Sequence, residues 1–515
     1  MHRTVIGGLA ALALASTLHA CALGGDRDAR SDGTDAGAVA EARDAGAGPA
    51  DDAGAPAPPP DAGDDRPRAD AGDGAASDGG PPTSCGDRTR CGGECVDTAV
   101  DARHCGACDV GCDGGEVCDG AACRRGPVEA WSIDYGFARE GSPEAAQIHD
   151  FAVDDAGHLY VAGHGGAAPY RTAPGSLGGG FVESFDRRGG LRFRNVEPRF
   201  ESHGAVPLGV TVGAGGRYYV VGGVTGPHTF DATHTAPADA ASYVAAYEAD
   251  HTLAWLLPSA LDPSEQIEGR GARLYTVLRG QDHPVSLAGV TFSTDDGIGY
   301  DWYTVALATD GAVQWGRGST ESRANGLAAT SWGVVRAGYE STPIGGGHSS
   351  HTYSLDAWDT SGARLDGYAA LGDHGVPGGT AVAEGGGAVY VAVRTARAGW
   401  TLQRYEGRAL VRERALGSDL EIADVVVDAR GRPYLLGHLT EPLSFDGDRY
   451  GAADDGFVVA LDASGDTRWA HFLTPPPDGL YLRMEEVEVG PRDLVFFRYR
   501  LAWYHGERIV ALRQP

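Results

Sequence analysis

A repeat of 44 to 61 residues fills the C-terminal part of this sequence, and it limits the possible folds more than any other feature. Each copy has a β-forming run, a turn with Asp or Gly, and a second run that ends at Gly. The clearest copies are DFAVDDAGHLYVAGH (150–164), LGVTVGAGGRYYVVGG (208–223) and DVVVDARGRPYLLGH (424–438). The equivalent central residues are Tyr160, Tyr219, Tyr275, Val334, Tyr390, Tyr434 and Val495. A regular period of this size is typical of a fold built from repeated supersecondary units.

A second strand pair follows in the clearest copies. SYVAAYEADHTLAW (242–255), WYTVALATDGAVQW (302–315) and GFVVALDASGDTRW (456–469) show apolar alternation, a short polar turn and a strand that ends in an aromatic residue. Four strands per copy and seven copies predict an all-β, seven-bladed β-propeller. Trp255, Trp315 and Trp469 share one repeat position, where we expect packing between blades.

The two ends of the repeat region complement each other. The last copy ends after three strands, at RIVALRQP (508–515), whereas VEAWSIDYG (128–136) looks like a fourth strand, with Trp131 in the place of Trp469. We therefore expect residues 127–515 to form the propeller and the N-terminal strand to complete the last blade. Such closure removes free sheet edges.

The repeats resemble a known bacterial type. VVVDARGRPYLLGH (425–438) and DDGFVVALDASGDTRWA (454–470) are similar to bacterial β-propeller repeats that read approximately VDAAGNVYVTG…DAFVAKLDASGALVWA. The resemblance covers about 390 residues and implies the fold. It leaves function open, because propellers serve as lyases, dehydrogenases, receptors and scaffolds alike.

The N-terminus has the features of an export signal. Arg3 precedes the apolar run VIGGLAALALA, which is too short to cross a bilayer. TLHAC then resembles the lipobox of bacterial lipoproteins, although His19 is less usual than a small residue. The resemblance implies a signal peptide over 1–20, lipidation of Cys21 and a place in the outer membrane or at the cell surface. The alternative is an ordinary secretory signal.

Residues 21–84 contain few large apolar side chains and repeat the triplet DAG, so we expect a disordered tether. The formal net charge of the chain is −29, which argues against nucleic acid as a partner. We expect a monomer that meets the membrane through its N-terminal lipid.

All cysteines other than Cys21 fall within residues 85–126, which we interpret as a disulfide-rich module. They are Cys85, Cys91, Cys95, Cys105, Cys108, Cys112, Cys118 and Cys123. An even number in a short exported segment indicates disulfides, with 105 pairings open. The alternatives are zinc sites, since Cys105 and Cys108 have knuckle spacing, or a redox pair. The spacing also resembles a cysteine-rich motif found beside lipoprotein signals in some Gram-negative bacteria, a stalk module of unassigned activity.

Common catalytic motifs are absent, so we assign no catalytic residue and do not expect an enzyme. One position near the start of each inner strand is rich in carboxylates: Asp150, Glu265, Asp424 and Glu486. Convergence of these at the channel would suit Ca²⁺, the one cofactor that we consider. The alternative is that they bond neighbouring backbone or water.

These features favour a lipid-anchored envelope protein whose propeller is a binding platform for a protein or glycan. The longest insertions, 278–302 and 338–354, are the expected contact loops. The alternatives are a purely structural envelope protein and a polysaccharide lyase or hydrolase that uses channel carboxylates.

Overall fold

The fold is described from a computed structural model of the chain. Before residue 121 the described positions are 85, 89–92, 94–96, 98, 104–111 and 116–119. From 121 to 514 all positions are described except 136–145, 166–178, 198–203, 281–284, 293–300, 320–322, 346–347, 366–371, 375–379, 396–398, 445–449, 477–481, 492–493 and 502–505. The expected signal peptide, Cys21 and the expected tether lie outside the described residues. No helix in the described part is long and apolar enough to span a membrane.

The cysteine-rich segment forms two short hairpins: β1 (Thr89–Cys91) with β2 (Glu94–Val96), and β3 (Glu116–Asp119) with β4 (Ala122–Arg125). Disulfides join Cys85 to Cys95, Cys91 to Cys108 and Cys105 to Cys118, and Cys123 is also disulfide-bonded. The disulfide prediction is therefore confirmed for the seven described cysteines. Cys105 and Cys108 bond to different partners, which is incompatible with a redox pair. Cys112 lies outside the described residues.

Seven antiparallel sheets of four strands form the blades of the propeller. The first strand after the module is β5 (Val128–Asp134). Blade 1 contains β6 (Ala146–Val153), β7 (Leu159–Gly165), β8 (Gly180–Phe185) and β9 (Leu191–Glu197). Blade 2 contains β10 (Gly204–Val212), β11 (Tyr218–Thr225), β14 (Ser242–Tyr247) and β15 (Leu253–Ser259), with the hairpin β12 (His228–Thr229) and β13 (Thr235–Ala236) and a 3-10 turn at Ala214–Gly216. Blade 3 contains β16 (Asp262–Arg270), β17 (Arg273–Gly280), β20 (Asp301–Ala308) and β21 (Val313–Ser319), with the hairpin β18 (Val285–Leu287) and β19 (Val290–Phe292).

The remaining blades follow the same order. Blade 4 contains β22 (Arg323–Ala329), β23 (Gly333–Gly345), β24 (His348–Asp359) and β25 (Gly372–His374). Blade 5 contains β26 (Thr380–Gly385), β27 (Ala388–Thr395), β28 (Gly399–Glu406) and β29 (Ala409–Gly417). Blade 6 contains β30 (Leu420–Val427), β31 (Pro433–Leu439), β34 (Gly456–Leu461) and β35 (Thr467–Leu473), with the hairpin β32 (Leu443–Ser444) and β33 (Tyr450–Gly451). Blade 7 contains β36 (Leu482–Val489), β37 (Leu494–Leu501) and β38 (Gly506–Arg513).

The N-terminal strand closes the ring, as predicted. β5 pairs with β38 as the fourth strand of blade 7, with Arg508 opposite Asp134 and Arg513 opposite Val128. The Arg508 guanidinium also binds the Asp134 carboxylate (Nε to Oδ1 2.5 Å). The ring is thus held by backbone pairing between strands from the two ends of the domain.

Outer-strand tryptophans connect neighbouring blades, which confirms the packing predicted for Trp255 and Trp315. Each indole N–H donates to a carbonyl in the turn between the third and fourth strands of the next blade. The pairs are Trp131 with Arg187 (2.8 Å), Trp255 with Thr309 (3.0 Å) and Trp315 with Thr360 (3.2 Å).

Glycine in these turns has a steric reason. Gly311 has a φ of +88°, and a Cβ there would lie 2.8 Å from the Trp255 ring. The repeated Gly of the turn therefore satisfies both the left-handed backbone and the neighbouring indole.

The insertions of four blades lie at one end of the propeller. The hairpins β12–β13, β18–β19 and β32–β33, and the extension of β23–β24, all connect the second and third strands of a blade. In an antiparallel meander these connections share one end. We call this end the hairpin face. The chain enters the propeller at Val128, which pairs with Arg513 at the far end of β38, so the module joins at the opposite end, which we call the turn face.

Candidate functional site

The central channel is an acidic cavity of about 460 Å³. All seven inner strands contribute to its wall, from β6 of blade 1 to β36 of blade 7. The described lining includes two guanidinium groups, Arg270 and Arg498, and the imidazole of His149. Its eight carboxyl groups are Asp150, Glu265, Glu268, Glu384, Asp424, Glu485, Glu486 and Glu488. The carboxyl groups of the described lining therefore outnumber its cationic groups.

Three of the four predicted carboxylates occupy one repeat position. A β-bulge precedes Asp150, Asp424 and Glu486, and each pairs with the equivalent residue of the second strand. Glu265 does not belong to this set. In blade 3, Ile267 pairs with Thr276 in the same way that Val425 pairs with Leu435 in blade 6. The residue of blade 3 that is equivalent to Asp424 is therefore Gln266.

The three carboxylates link consecutive blades. Asp424 of blade 6 accepts from the backbone N–H of Val487 in blade 7 (2.9 Å). Glu486 of blade 7 accepts from Phe151 in blade 1 (3.4 Å), and Asp150 of blade 1 accepts from Val210 in blade 2 (2.7 Å). The donors are also equivalent, since each immediately follows the residue that comes after the bulge of its strand. We call this series the carboxylate chain. It corresponds to the alternative in which these groups bond neighbouring backbone.

Burial raises the pKa of these groups. Burial away from solvent raises the pKa of both Asp150 and Asp424 to about 7. It also raises the pKa of Glu486, with a further contribution from the charge of Asp150. Such groups bind protons near neutral pH.

Arg498 is the cation that balances this region. Its guanidinium lies 3.4 Å from Glu486 and 3.3 Å from Glu507. It also donates to the backbone carbonyls of Ile148 and His149 in blade 1. Because Glu507 accepts from the Ile148 N–H (3.0 Å), blades 7 and 1 share a buried polar network.

Further channel groups were not predicted from the sequence. Glu268 and Glu488 lie two residues beyond the bulge-following positions, and loss of water raises the pKa of Glu268 to about 8 and raises that of Glu488. The sequence EEVEV (485–489) could have indicated Glu488, because Glu486 and Glu488 are alternate residues of one strand and therefore share a face.

His149 is the bulged residue before Asp150. Its Nε2 lies 2.7 Å from Nδ1 of His164, the rings stack, and its Nδ1 lies 3.7 Å from a Glu265 carboxylate oxygen. Glu265 therefore meets the histidine pair instead of the carboxylate chain.

The described residues contain no group of three or more His, Cys, Asp or Glu side chains that could hold a metal ion. The Ca²⁺ hypothesis for Asp150, Glu265, Asp424 and Glu486 therefore lacks a coordinating cluster in this part of the chain, and it stays a prediction. A calorimetric titration with CaCl₂ that gives neither heat nor a Tm shift would contradict it.

Both loops expected to contact a partner lie on the hairpin face. Within 338–354 the strands β23 and β24 continue as a long hairpin, with Tyr339 opposite Tyr353 and Pro343 opposite Ser349. Within 278–302 lies the hairpin β18–β19, whose Val285, Leu287 and Phe292 are buried. Phe292 covers Gly316 of the outer strand, where a Cβ would lie 2.5 Å from its ring. This hairpin therefore packs on its own blade.

No known family model and no curated protein matches the chain. Among solved structures, it is similar to Raptor from Chaetomium thermophilum (TM-score 0.42, 9% identity), with 76% of this chain and 29% of that one covered. The chain thus spans less than a third of that structure. It is also similar to the endosialidase of phage phi92 (TM-score 0.36, 8% identity, 74% and 69% covered) and to a glucose dehydrogenase (TM-score 0.30, 14% identity, 60% and 96% covered).

Proposed function

We propose that this protein is a lipid-anchored component of the outer membrane or cell surface, and that its propeller is a binding platform for a protein or glycan. Cys21 is the proposed lipidation site, and residues 21–84 are the proposed tether. The disulfides support export, because such bonds persist in oxidising compartments. The negative charge of the chain supports a partner other than nucleic acid.

One observation carries the binding proposal: the insertions gather on the hairpin face, opposite the end where the module joins the propeller. The module enters the propeller at Val128 on the turn face, so this connection does not cover the hairpin face. Loops on a rigid scaffold are where binding residues concentrate. The hairpin face is therefore the proposed contact surface.

No specific observation favours the enzyme alternative. A glycoside hydrolase needs two carboxyl groups free to act on the sugar. Asp150, Asp424 and Glu486 instead accept backbone N–H groups of the next blade. A purely structural envelope role would use the same closed ring without a ligand, and a binding experiment separates it from the platform.

The proposed lipid anchor is tested by labelling cells with palmitate. We expect label on the wild-type chain and none on Cys21→Ala, which should also leave the membrane fraction. The binding half is tested by capture from detergent-solubilised envelope with the full mature chain. Recovery of no component above a bare-resin control would contradict the platform.

A further inference from the structure

In blade 7 the third and fourth strands, β38 and β5, are not connected by the turn that other blades have. We call the contact between these two strands the seam. In blades 1, 3 and 4 the turn between the third and fourth strands supplies the carbonyl that accepts from a neighbouring tryptophan. In blade 7 these two strands, β38 and β5, come from opposite ends of the domain. Arg513 pairs with Leu494 in blade 7 in the same way that Ala308 pairs with Arg273 in blade 3. Gln514 therefore occupies the position that the turn residue Thr309 has in blade 3.

Two buried donors are left without an acceptor at this seam. The Oε1 atom of Gln514 accepts from the Tyr434 hydroxyl (2.8 Å), but its Nε2 has no hydrogen-bond partner among the described residues. The indole nitrogen of Trp469 likewise has none in the described part of the chain. Gln514 is 4% exposed and Trp469 is 3% exposed. A buried donor without a partner is destabilising, so an acceptor supplied from outside would be favoured.

Gln514 also lines a cavity of about 310 Å³ on the turn face. We call it the seam cavity. Its wall comes from the first turns of blades 1, 6 and 7, with Asp154, Asp155, Asp428, Arg430 and Pro491. This volume lies at the lower end of the range for small-ligand pockets, about 300–1,000 Å³. The seam cavity is therefore sized for one or two small rings.

The polar groups of the wall limit the chemistry of a ligand. The Oδ1 atoms of Asp154 and Asp428 already accept backbone N–H groups of their own turns, at 2.7–2.9 Å. Asp155 and Arg430 are exposed, and they offer a carboxylate and a guanidinium near the Gln514 amide. The wall also includes Arg432, whose guanidinium binds the Asp428 carboxylate (2.5 Å), so three carboxylates face two guanidiniums. A ligand with a high charge of either sign is therefore disfavoured, and a simple cation would not use the amide donor. A hydroxyl group can both accept and donate, so a sugar suits this combination.

We propose that the seam cavity binds a neutral sugar of an envelope glycan, with the Gln514 side-chain amide donating to a sugar hydroxyl and Asp155 accepting from one. This proposal goes beyond the platform function, because it adds a small glycan site on the turn face, opposite the proposed contact surface. The site exists because blade 7 is closed by strands from the two ends of the domain, and equivalent cavities are not expected where a turn fills the position.

The test uses the full mature chain and four probes: D-glucose, D-galactose, D-mannose and N-acetylglucosamine. Saturation-transfer NMR should show at least one of them in contact with the protein. Gln514→Glu keeps the shape but replaces the free N–H₂ with oxygen, and we expect at least a tenfold loss of affinity. Asp155→Ala, on the exposed wall, should also weaken binding while leaving the Tm unchanged. Asp310→Asn, in the turn of blade 3, is the matched control and should bind like wild type.

Two results would overturn the proposal: none of the four sugars binds, or Gln514→Glu and Asp155→Ala both bind like wild type. These failures are distinct from failure of the platform. If the chain captures an envelope component equally well with Gln514→Glu, the platform stands and the seam cavity is not its site. If capture fails while a sugar binds in a Gln514-dependent way, the seam cavity stands and the hairpin-face platform does not.

Discussion

Asp424 accepts a hydrogen bond from the backbone N–H of Val487, 2.9 Å away across the boundary between blades 6 and 7. The same relationship recurs at the next two boundaries, through Glu486 and Asp150. Acidic residues of the channel thus have a structural role that repeats with the blades. Blade 2 has Gly209 at this position, so the carboxylate chain ends there.

Removal of one link should weaken the propeller. At pH 5.5 the raised pKa keeps Asp424 protonated, and a hydrogen bond between neutral groups contributes about 0.5–1.5 kcal/mol, so Asp424→Ala should lower the free energy of unfolding by about that amount at this pH. Asp424→Asn retains an acceptor oxygen and should lose less. Urea unfolding followed by tryptophan fluorescence measures both. Asp239→Ala, at an exposed position, is the control, and equal midpoints for Asp424→Ala and Asp239→Ala would contradict the structural role.

Stability should fall as pH rises through neutrality. Burial raises the pKa of Asp150 and Asp424 to about 7 and that of Glu268 to about 8. Because these groups hold protons more tightly in the folded state, their contribution is complete below about pH 4 and is lost as pH rises to about 8. Hydrogen bonds from the hydroxyls of Ser361 and Ser464 lower the pKa values of Asp359 and Asp462. The contribution of these two groups to stability therefore changes only at more acidic pH.

The measurement is Tm by calorimetry at pH 5.5 and pH 8.5. We expect the lower Tm at pH 8.5 and a smaller difference for Glu268→Gln, which cannot ionise. A Tm that rises between these two pH values in the wild type would contradict the assignment.

Two tryptophans form a matched pair for the inter-blade contact. The Trp315 indole donates to Thr360 (3.2 Å), whereas the Trp469 indole has no partner among the described residues. Both side chains are buried. Trp315→Phe should therefore cost about 1 kcal/mol more than Trp469→Phe, since only the first breaks a hydrogen bond. Urea midpoints of the two variants decide the matter, and equal losses would exclude a contribution from this bond.

The disulfides can be mapped directly. Peptide mapping of unreduced protein should recover the pairs Cys85–Cys95, Cys91–Cys108 and Cys105–Cys118. Thiol counting in the native mature chain should find none of these six cysteines reactive. Stoichiometric zinc together with reactive thiols would restore the zinc alternative. The Arg513 guanidinium donates to the Cys118 carbonyl (3.3 Å), so Cys118→Ser should also loosen the seam of blade 7, seen as faster amide exchange in β38.

The blade number and the closing strand were predictable, because both follow from the repeat and from the match of Trp131 to Trp469. The position of Glu265 was not predictable, because the irregular stretch between Pro263 and Ile267 shifts the register by two residues, whereas the bulge before Asp150 shifts it by one. The disulfide pairing was open because 105 arrangements satisfy the same spacing. The free donors at Gln514 and Trp469 depend on the absence of one turn, which appears only when β5 and β38 are placed together.

The most direct test of the platform is capture from solubilised envelope, compared between the wild type and a variant in which 342–350, the end of the β23–β24 extension, is replaced by a short Gly-Ser turn. Circular dichroism and Tm serve to show that the variant keeps its fold. The platform predicts an envelope component that the wild-type chain retains and the variant loses. The same set of retained components from both chains would contradict the assignment of the hairpin face as the binding surface.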